Sequence, residues 1–233
     1  MLVSCKSNSK SEYGSSSRES KEDSAFQAYK KIQEDEEQRE HTLLLESELG
    51  RHNHYKNETL ILDTVLKYDQ GIRKELALRV RAFGRMSKEV NEVYPIMRYV
   101  DSVNCLKVTK ILDEHGWLGA TEIGSEGNST LFLVIQHAEL DVQEKYLPML
   151  RKSVEDGNAE ASALAYLEDR VLLKHGKKQL YGSQIEYDTL TDKYIVSPIE
   201  DEPNVNKRRA SVGLGPLEDY VKIWGIEYVL PKD

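Results

Sequence analysis

His137 closes an apolar run, Thr-Leu-Phe-Leu-Val-Ile-Gln-His-Ala, with Gln136 before it and Asp141 four residues after it. On a continuous helix, residues four apart share a face. A carboxylate beside an imidazole fixes its tautomer and raises its basicity, which suits a general base or a metal ligand. The same residues also fit plain capping, with His137 ending one helix and Asp141 opening the next. Tyr166, Asp169 and Arg170 follow in the segment Leu-Ala-Tyr-Leu-Glu-Asp-Arg-Val-Leu-Leu. Tyr166 and Arg170 share a helical face, whereas adjacent Asp169 and Arg170 diverge by about 100° and do not pair directly. An arginine on an otherwise apolar helix needs a carboxylate, a carbonyl or a ligand anion. An internal ion pair is the plain alternative.

Two further groups lie downstream. Gln179, Tyr181 and Gln184 belong to Gln-Leu-Tyr-Gly-Ser-Gln. Read as a strand, this puts Gln179, Tyr181 and Ser183 on one side and Leu180, Gly182 and Gln184 on the other. Neutral amides and a phenol bind sugars, peptides or bases, and Gly182 permits close backbone approach. Arg208 and Arg209 open a short helix after the acidic loop Ile-Glu-Asp-Glu-Pro. Two guanidinium groups at a helix start form an anion site in principle, or they pair with the acidic loop. A catalytic version of this set uses His137 as base, Asp141 or Asp169 to orient it, and an arginine to hold an anionic group. The phosphate-binding loop, GxGxxG after a strand, HExxH and GxSxG are all missing from the sequence, so neither a metal site nor a cofactor class is indicated.

These residues need elements to position them. Asn57 can cap a helix through Tyr68, with Leu60, Ile61, Val65 and Leu66 inward, and a second helical region covers about 72–92. Gly71 and Gly84 weaken that region by about 1 kcal/mol each relative to Ala, and Pro95 interrupts the pattern. A helix from Asp101 to His115 stops at Gly116, with Trp117 folding back on it. Residues 118–130 read as a loop, and Glu126–Ala138 as a helix. Two more helices follow, ending at Gly157 and Gly176. The period then changes to two, predicting a β-hairpin that turns at Thr189–Asp192. Short helices are expected at about 205–212 and after Pro216. The fold class is therefore mainly α: a bundle of five or six helices in residues 57–176, a small hairpin and short terminal helices. The expected site is one cleft floored by Tyr166 and Tyr181, with His137 and an arginine on its wall.

The chain has 233 residues, 39% hydrophobic and 31% charged, with a mean hydropathy of -0.59. One globular domain at 57–233 accommodates that composition. A net charge of -8 and a pI of about 5.4 argue against a general affinity for nucleic acid. Two cysteines, Cys5 and Cys105, exclude a disulfide scaffold and a cysteine-built zinc site. Nine of the first 24 residues are Ser, a composition too polar to fold alone, so 1–24 reads as a disordered tether. Residues 25–50 read as a charged helix or linker. Leu2-Val3-Ser4-Cys5 fits a bacterial lipobox, in which Cys5 is acylated and anchors the chain to the cell envelope. The plain alternative is a chance match ahead of a disordered tail on a cytoplasmic protein.

Five spaced motifs carry a resemblance. They are Asp69-Gln70 with Arg73; Asp101, Asn104 and Leu106 with Gly116-Trp117; Ile135–Ala138 with Asp141; Ala165–Val171 with Gln179–Gln184; and Pro198–Tyr220, which contains Arg208 and Arg209. Over about residues 60–220 the chain resembles an uncharacterised bacterial domain family of unknown function. It departs from the family pattern at Leu118, Ser183 and Asn206. The resemblance implies no mechanism, but the polar motif residues favour a shared ligand site. The expected function is a lipid-anchored envelope protein whose domain binds a small polar or anionic ligand. The alternative is a hydrolase or transferase, and a third reading is a partner-binding module using the 25–48 segment.

Overall fold

The computed structural model describes residues 54–231. The tether at 1–24, the segment at 25–50 and Cys5 lie outside them. Element order is α1 (Lys56–Phe83), α2 (Lys88–Asn91), α3 (Val93–His115), α4 (Ala120–His137), α5 (Leu140–Glu155) and α6 (Ala161–Lys174). Then come β1 (Ile185–Asp188), β2 (Lys193–Val196), α7 (Val205–Ser211) and α8 (Leu217–Val221). The mainly helical class with a small hairpin is as the sequence predicts.

Three boundaries differ from the expectation, each for a local reason. The expected break before 72 is absent, since α1 runs through Gly71 to Phe83, and the expected 72–92 region instead breaks at Gly84, whose φ of +82° stops α1 ahead of the separate α2. Pro95 lies inside α3, at its third residue, where the missing N–H would have had no helical partner anyway. The expected loop at 118–130 is helical from Ala120, with one break at Gly124, where φ is +76°. Glu122 stabilises this start by accepting a 2.7 Å hydrogen bond from the Gly119 N–H.

α1 packs against both α3 and α4, and α5 packs against α6. The main core between them includes Leu62, Val108, Leu131, Ile135, Leu150 and Leu167. Trp117 is buried in it. A second, smaller core joins Ile199 to Val205 of α7 and to Leu217 and Val221 of α8. β1 and β2 pair antiparallel from Ile185↔Val196 to Asp188↔Lys193, around the expected turn.

The expected first strand, however, begins only at Ile185. Residues 179–184 form a tight turn tied to Ile199 by a single parallel bridge at Gln179. The alternation that assigned Gln179, Tyr181 and Ser183 to one face is overturned. Gln179 spends its backbone groups on that bridge, and those of Leu180, Tyr181 and Ser183 are taken by side chains from other elements, as described below, so the segment cannot join the β1–β2 ladder. Among the described residues no helix is long and apolar enough to cross a membrane.

Candidate functional site

The polar residues sort into three arrangements. In the first, the inward stripe of α1 ends in a carboxylate. Asp69 is 1% exposed, and its Oδ1 lies 3.0 Å from the Arg73 guanidinium one turn later. The same guanidinium reaches Oδ1 of Asp101 on α3 at 2.8 Å. Gln70 donates to the second Asp69 oxygen at 2.8 Å. His137, the last residue of α4, places Nδ1 3.1 Å from Asp69.

Burial works to raise the pKa of Asp69. The hydrogen bond and charge of His137, the Arg73 guanidinium and the Gln70 amide outweigh it and hold the carboxyl below its ordinary range. The His137 Nδ1–H donates to the ionised Asp69 carboxylate, which leaves Nε2 as the ring nitrogen that the cluster does not use. Among the described residues Nε2 has no hydrogen-bond partner. Asp69, Asp101 and His137 offer three ligand atoms within 4.8 Å of one another. Arg73 already occupies both carboxylates, so a metal ion would have to displace it.

The expected pairing of His137 with Asp141 does not form. α4 ends at His137 and α5 begins at Leu140, so the two residues never share a helix face. Asp141 is exposed in the first turn of α5, favourable for the helix dipole. Gln136 contributes its backbone carbonyl, which accepts from Gln143 Nε2 at 2.9 Å.

The second arrangement is built around the turn at 179–184. Asp169, fully buried on α6, accepts from the backbone N–H of Leu180, Tyr181 and Ser183 at 2.6, 3.0 and 3.0 Å. The carbonyls of the same turn are held from the opposite side. Arg208 Nε donates to Leu180 at 2.7 Å and Arg209 to Tyr181 at 2.8 Å. The Tyr220 hydroxyl donates to Ser183 at 2.8 Å. Gly182, at φ +66°, sits where a Cβ would meet Ile199 and Leu217 at 3.0 Å; no other residue fits this turn without strain.

Gln179 is fully buried. It donates to the Ser197 carbonyl at 2.7 Å and accepts from the Gln184 N–H at 2.8 Å. Arg208 also binds the Glu200 and Asp201 carbonyls and the Asp201 carboxylate. Arg209 donates to the Gly215 carbonyl at 2.6 Å and lies over the Tyr220 ring. Burial pulls its pKa down, against the pull of Tyr166, Tyr220 and Asp169. The anion site expected at Arg208 and Arg209 is therefore not open, because main-chain carbonyls fill both forks. Asp169 is likewise committed to the turn and does not orient His137.

The third arrangement is Arg170. Its Nε is buried without a hydrogen-bond partner, and among the described residues it forms no ion pair. Burial lowers its pKa and the nearby Arg73 guanidinium lowers it further, while Tyr220 opposes them. Arg170 lines a cavity of about 260 Å³. Leu173 and Lys174 of α6 line it with Arg170, and Gln184, Ile185, Glu186 and Ser197 of the hairpin region complete the lining.

His137, Tyr166 and Tyr181 do not line this cavity, so the expected single cleft divides into a polar cluster and a separate hollow. Tyr166 packs tilted against Phe132 and edge-on to Tyr220, at centroid distances of 6.4 and 6.2 Å. Tyr181 has its pKa raised, first by burial and then by the Glu168 and Asp169 charges.

Residue-type reasoning missed Asp69, Arg73 and Asp101 as site residues. The signal was the stripe itself. Asp69 falls four residues after Val65 and seven after Leu62, on the buried side of a helix, where an ionisable group needs partners.

No curated protein and no solved structure matches the chain. A family model described as a family of unknown function (DUF6624) matches residues 57–231, which include the Asp69 cluster, the gripped turn and Arg170. The chain belongs to that family of unknown function.

Proposed function

We propose that this domain binds a small ligand with an anionic group and that Arg170 receives it. One observation carries the reading: the Arg170 guanidinium has a buried Nε without a partner, and Arg170 lines an adjoining cavity. Arg73, Arg208 and Arg209 are each bound to carboxylates or carbonyls. A buried donor left without an acceptor is costly, and a bound anion on the same guanidinium removes that cost. The adjoining cavity gives such a ligand room. Thermal unfolding of the full chain in a series of small anions tests this. Acetate or phosphate should raise Tm in a saturable way, and Arg170→Met should remove the response. An equal response in Arg170→Met, or none in the native chain, would refute it.

A second reading has its own observation. His137 is oriented by buried Asp69 with Nε2 free, the arrangement of a general base in a hydrolase or transferase. Its absence from the cavity wall favours binding over catalysis. If the domain turns a substrate over, His137→Asn should abolish turnover and leave ligand affinity intact.

Residues Leu2–Cys5 support a third element of the proposal, an acylated Cys5 that holds the domain at a bacterial cell envelope by a serine-rich tether. In-frame DNA upstream of Met1 should then encode a basic start and an apolar run of about 10 residues. An in-frame stop codon directly before Met1 would rule that out. The acidic charge balance supports a partner other than nucleic acid.

A further inference from the structure

The walls of the Arg170 cavity carry charges of both signs. The α6 wall contributes two cations, Arg170 and Lys174, and the strand wall contributes the carboxylate of Glu186. Among the described residues Lys174 has no ion-pair partner, and Glu186 has only a neutral one, the Ser197 hydroxyl at 2.7 Å. The cavity therefore holds cations and a carboxylate that are not paired with each other. Leu173 and Ile185 add apolar surface on the two sides. A volume of about 260 Å³ lies just under the range of drug-sized pockets, which begins near ~300 Å³, and suits a metabolite of modest size.

We infer that the ligand is amphoteric, of the α-amino-acid class. Its carboxylate lies on Arg170 and Lys174, its ammonium on Glu186, and its aliphatic side chain between Leu173 and Ile185. This rests on the anion-binding reading of Arg170 and narrows it. A simple dianion such as phosphate would satisfy Arg170 but would also face the Glu186 carboxylate. A zwitterion meets both walls with opposite charge. The Ser197 hydroxyl, which already donates to Glu186, sits beside the carboxylate and can accept a hydrogen bond from the ammonium.

Calorimetric titration of the full chain with three probes tests the inference. L-leucine carries both charges, isocaproate is leucine without the ammonium, and isoamylamine is leucine without the carboxylate. Leucine should bind about tenfold more tightly than isocaproate, and isoamylamine should bind weakest. Glu186→Gln keeps an oxygen for the Ser197 hydroxyl and lies on an exposed residue, so the fold should be retained. In that variant leucine should fall to the affinity of isocaproate, while isocaproate itself should bind as well as before or better. Equal affinity for leucine and isocaproate in the native chain, or a preference for leucine untouched by Glu186→Gln, would overturn the amphoteric ligand and leave the anion site standing. If neither carboxylate probe nor phosphate binds, the anion site and the amphoteric ligand both fall.

Discussion

Replacing Asp169 by Asn changes one atom of a buried carboxylate and should cost a large part of the domain's stability. The carboxylate is fully buried and takes three backbone N–H groups. Oδ1 serves Leu180 and Tyr181 at 2.6 and 3.0 Å, and Oδ2 serves Ser183 at 3.0 Å. An amide keeps one acceptor and turns the other into a donor. In either orientation at least one buried N–H then faces another N–H. Losing a hydrogen bond to a charged acceptor costs about 1.5–3 kcal/mol, and stranding a buried donor costs about 1–3 kcal/mol. The sum is about 2.5–6 kcal/mol, which for a domain of this size lowers Tm by roughly 5–25 °C. Urea unfolding followed by tryptophan fluorescence and far-ultraviolet circular dichroism measures it. A destabilisation below about 1 kcal/mol would mean that the turn is held by Arg208, Arg209 and Tyr220 without Asp169, and that this account of the turn is wrong.

Other outcomes follow from the same geometry. Gly182→Ala must place a Cβ 3.0 Å from Ile199 and Leu217 at a φ of +66°; it should cost about 2–4 kcal/mol in the same unfolding assay. Trp117→Ala empties a buried site in the main core and should cost about 3–5 kcal/mol. Asp69 is held below its ordinary value of 3.8 in the folded chain. Its ionised form therefore stabilises the fold fully above that value, and the contribution is lost as pH falls through the lower folded value. Unfolding free energy of the native chain should thus drop on acidification below about pH 3.8 more steeply than that of Asp69→Asn; parallel profiles would contradict the pairing with His137 and Arg73.

Elements set by local chemistry were legible in the sequence. Leu131–Ile135 reads as a buried helix entering the core, Gly116 as a stop, and Thr189–Asp192 as the hairpin turn, because each depends on neighbours within a few residues. What was illegible depends on distant partners. The carboxylate of His137 lies 68 residues away on α1, not four residues on. Gln179–Gln184 has a strand's alternation by composition alone. Asp169, Arg208 and Arg209 converge on its backbone and fold it into a turn, and no window of local sequence contains that convergence. The resemblance motifs did contain the answer in part. Asp69 with Arg73, Asp101 and His137 come from three separate motifs and meet in one ion-paired cluster. The polar residues of Ala165–Val171, Gln179–Gln184 and Pro198–Tyr220 divide between a structural clasp and the single arginine that the clasp leaves over.

That arginine is the centre of the account, and its Nε–H is the atom to observe. In a nitrogen-15 spectrum of the arginine side chains, assigned by its loss in Arg170→Met, a buried Nε–H without a protein acceptor should stand apart from the hydrogen-bonded Nε–H signals of Arg208 and Arg209. Titrating acetate into the full chain should move the Arg170 proton signal downfield and saturate, as the vacant donor gains a carboxylate. A signal that stays in place up to the highest acetate concentration, while ionic strength is held constant, would contradict a site for anions at Arg170.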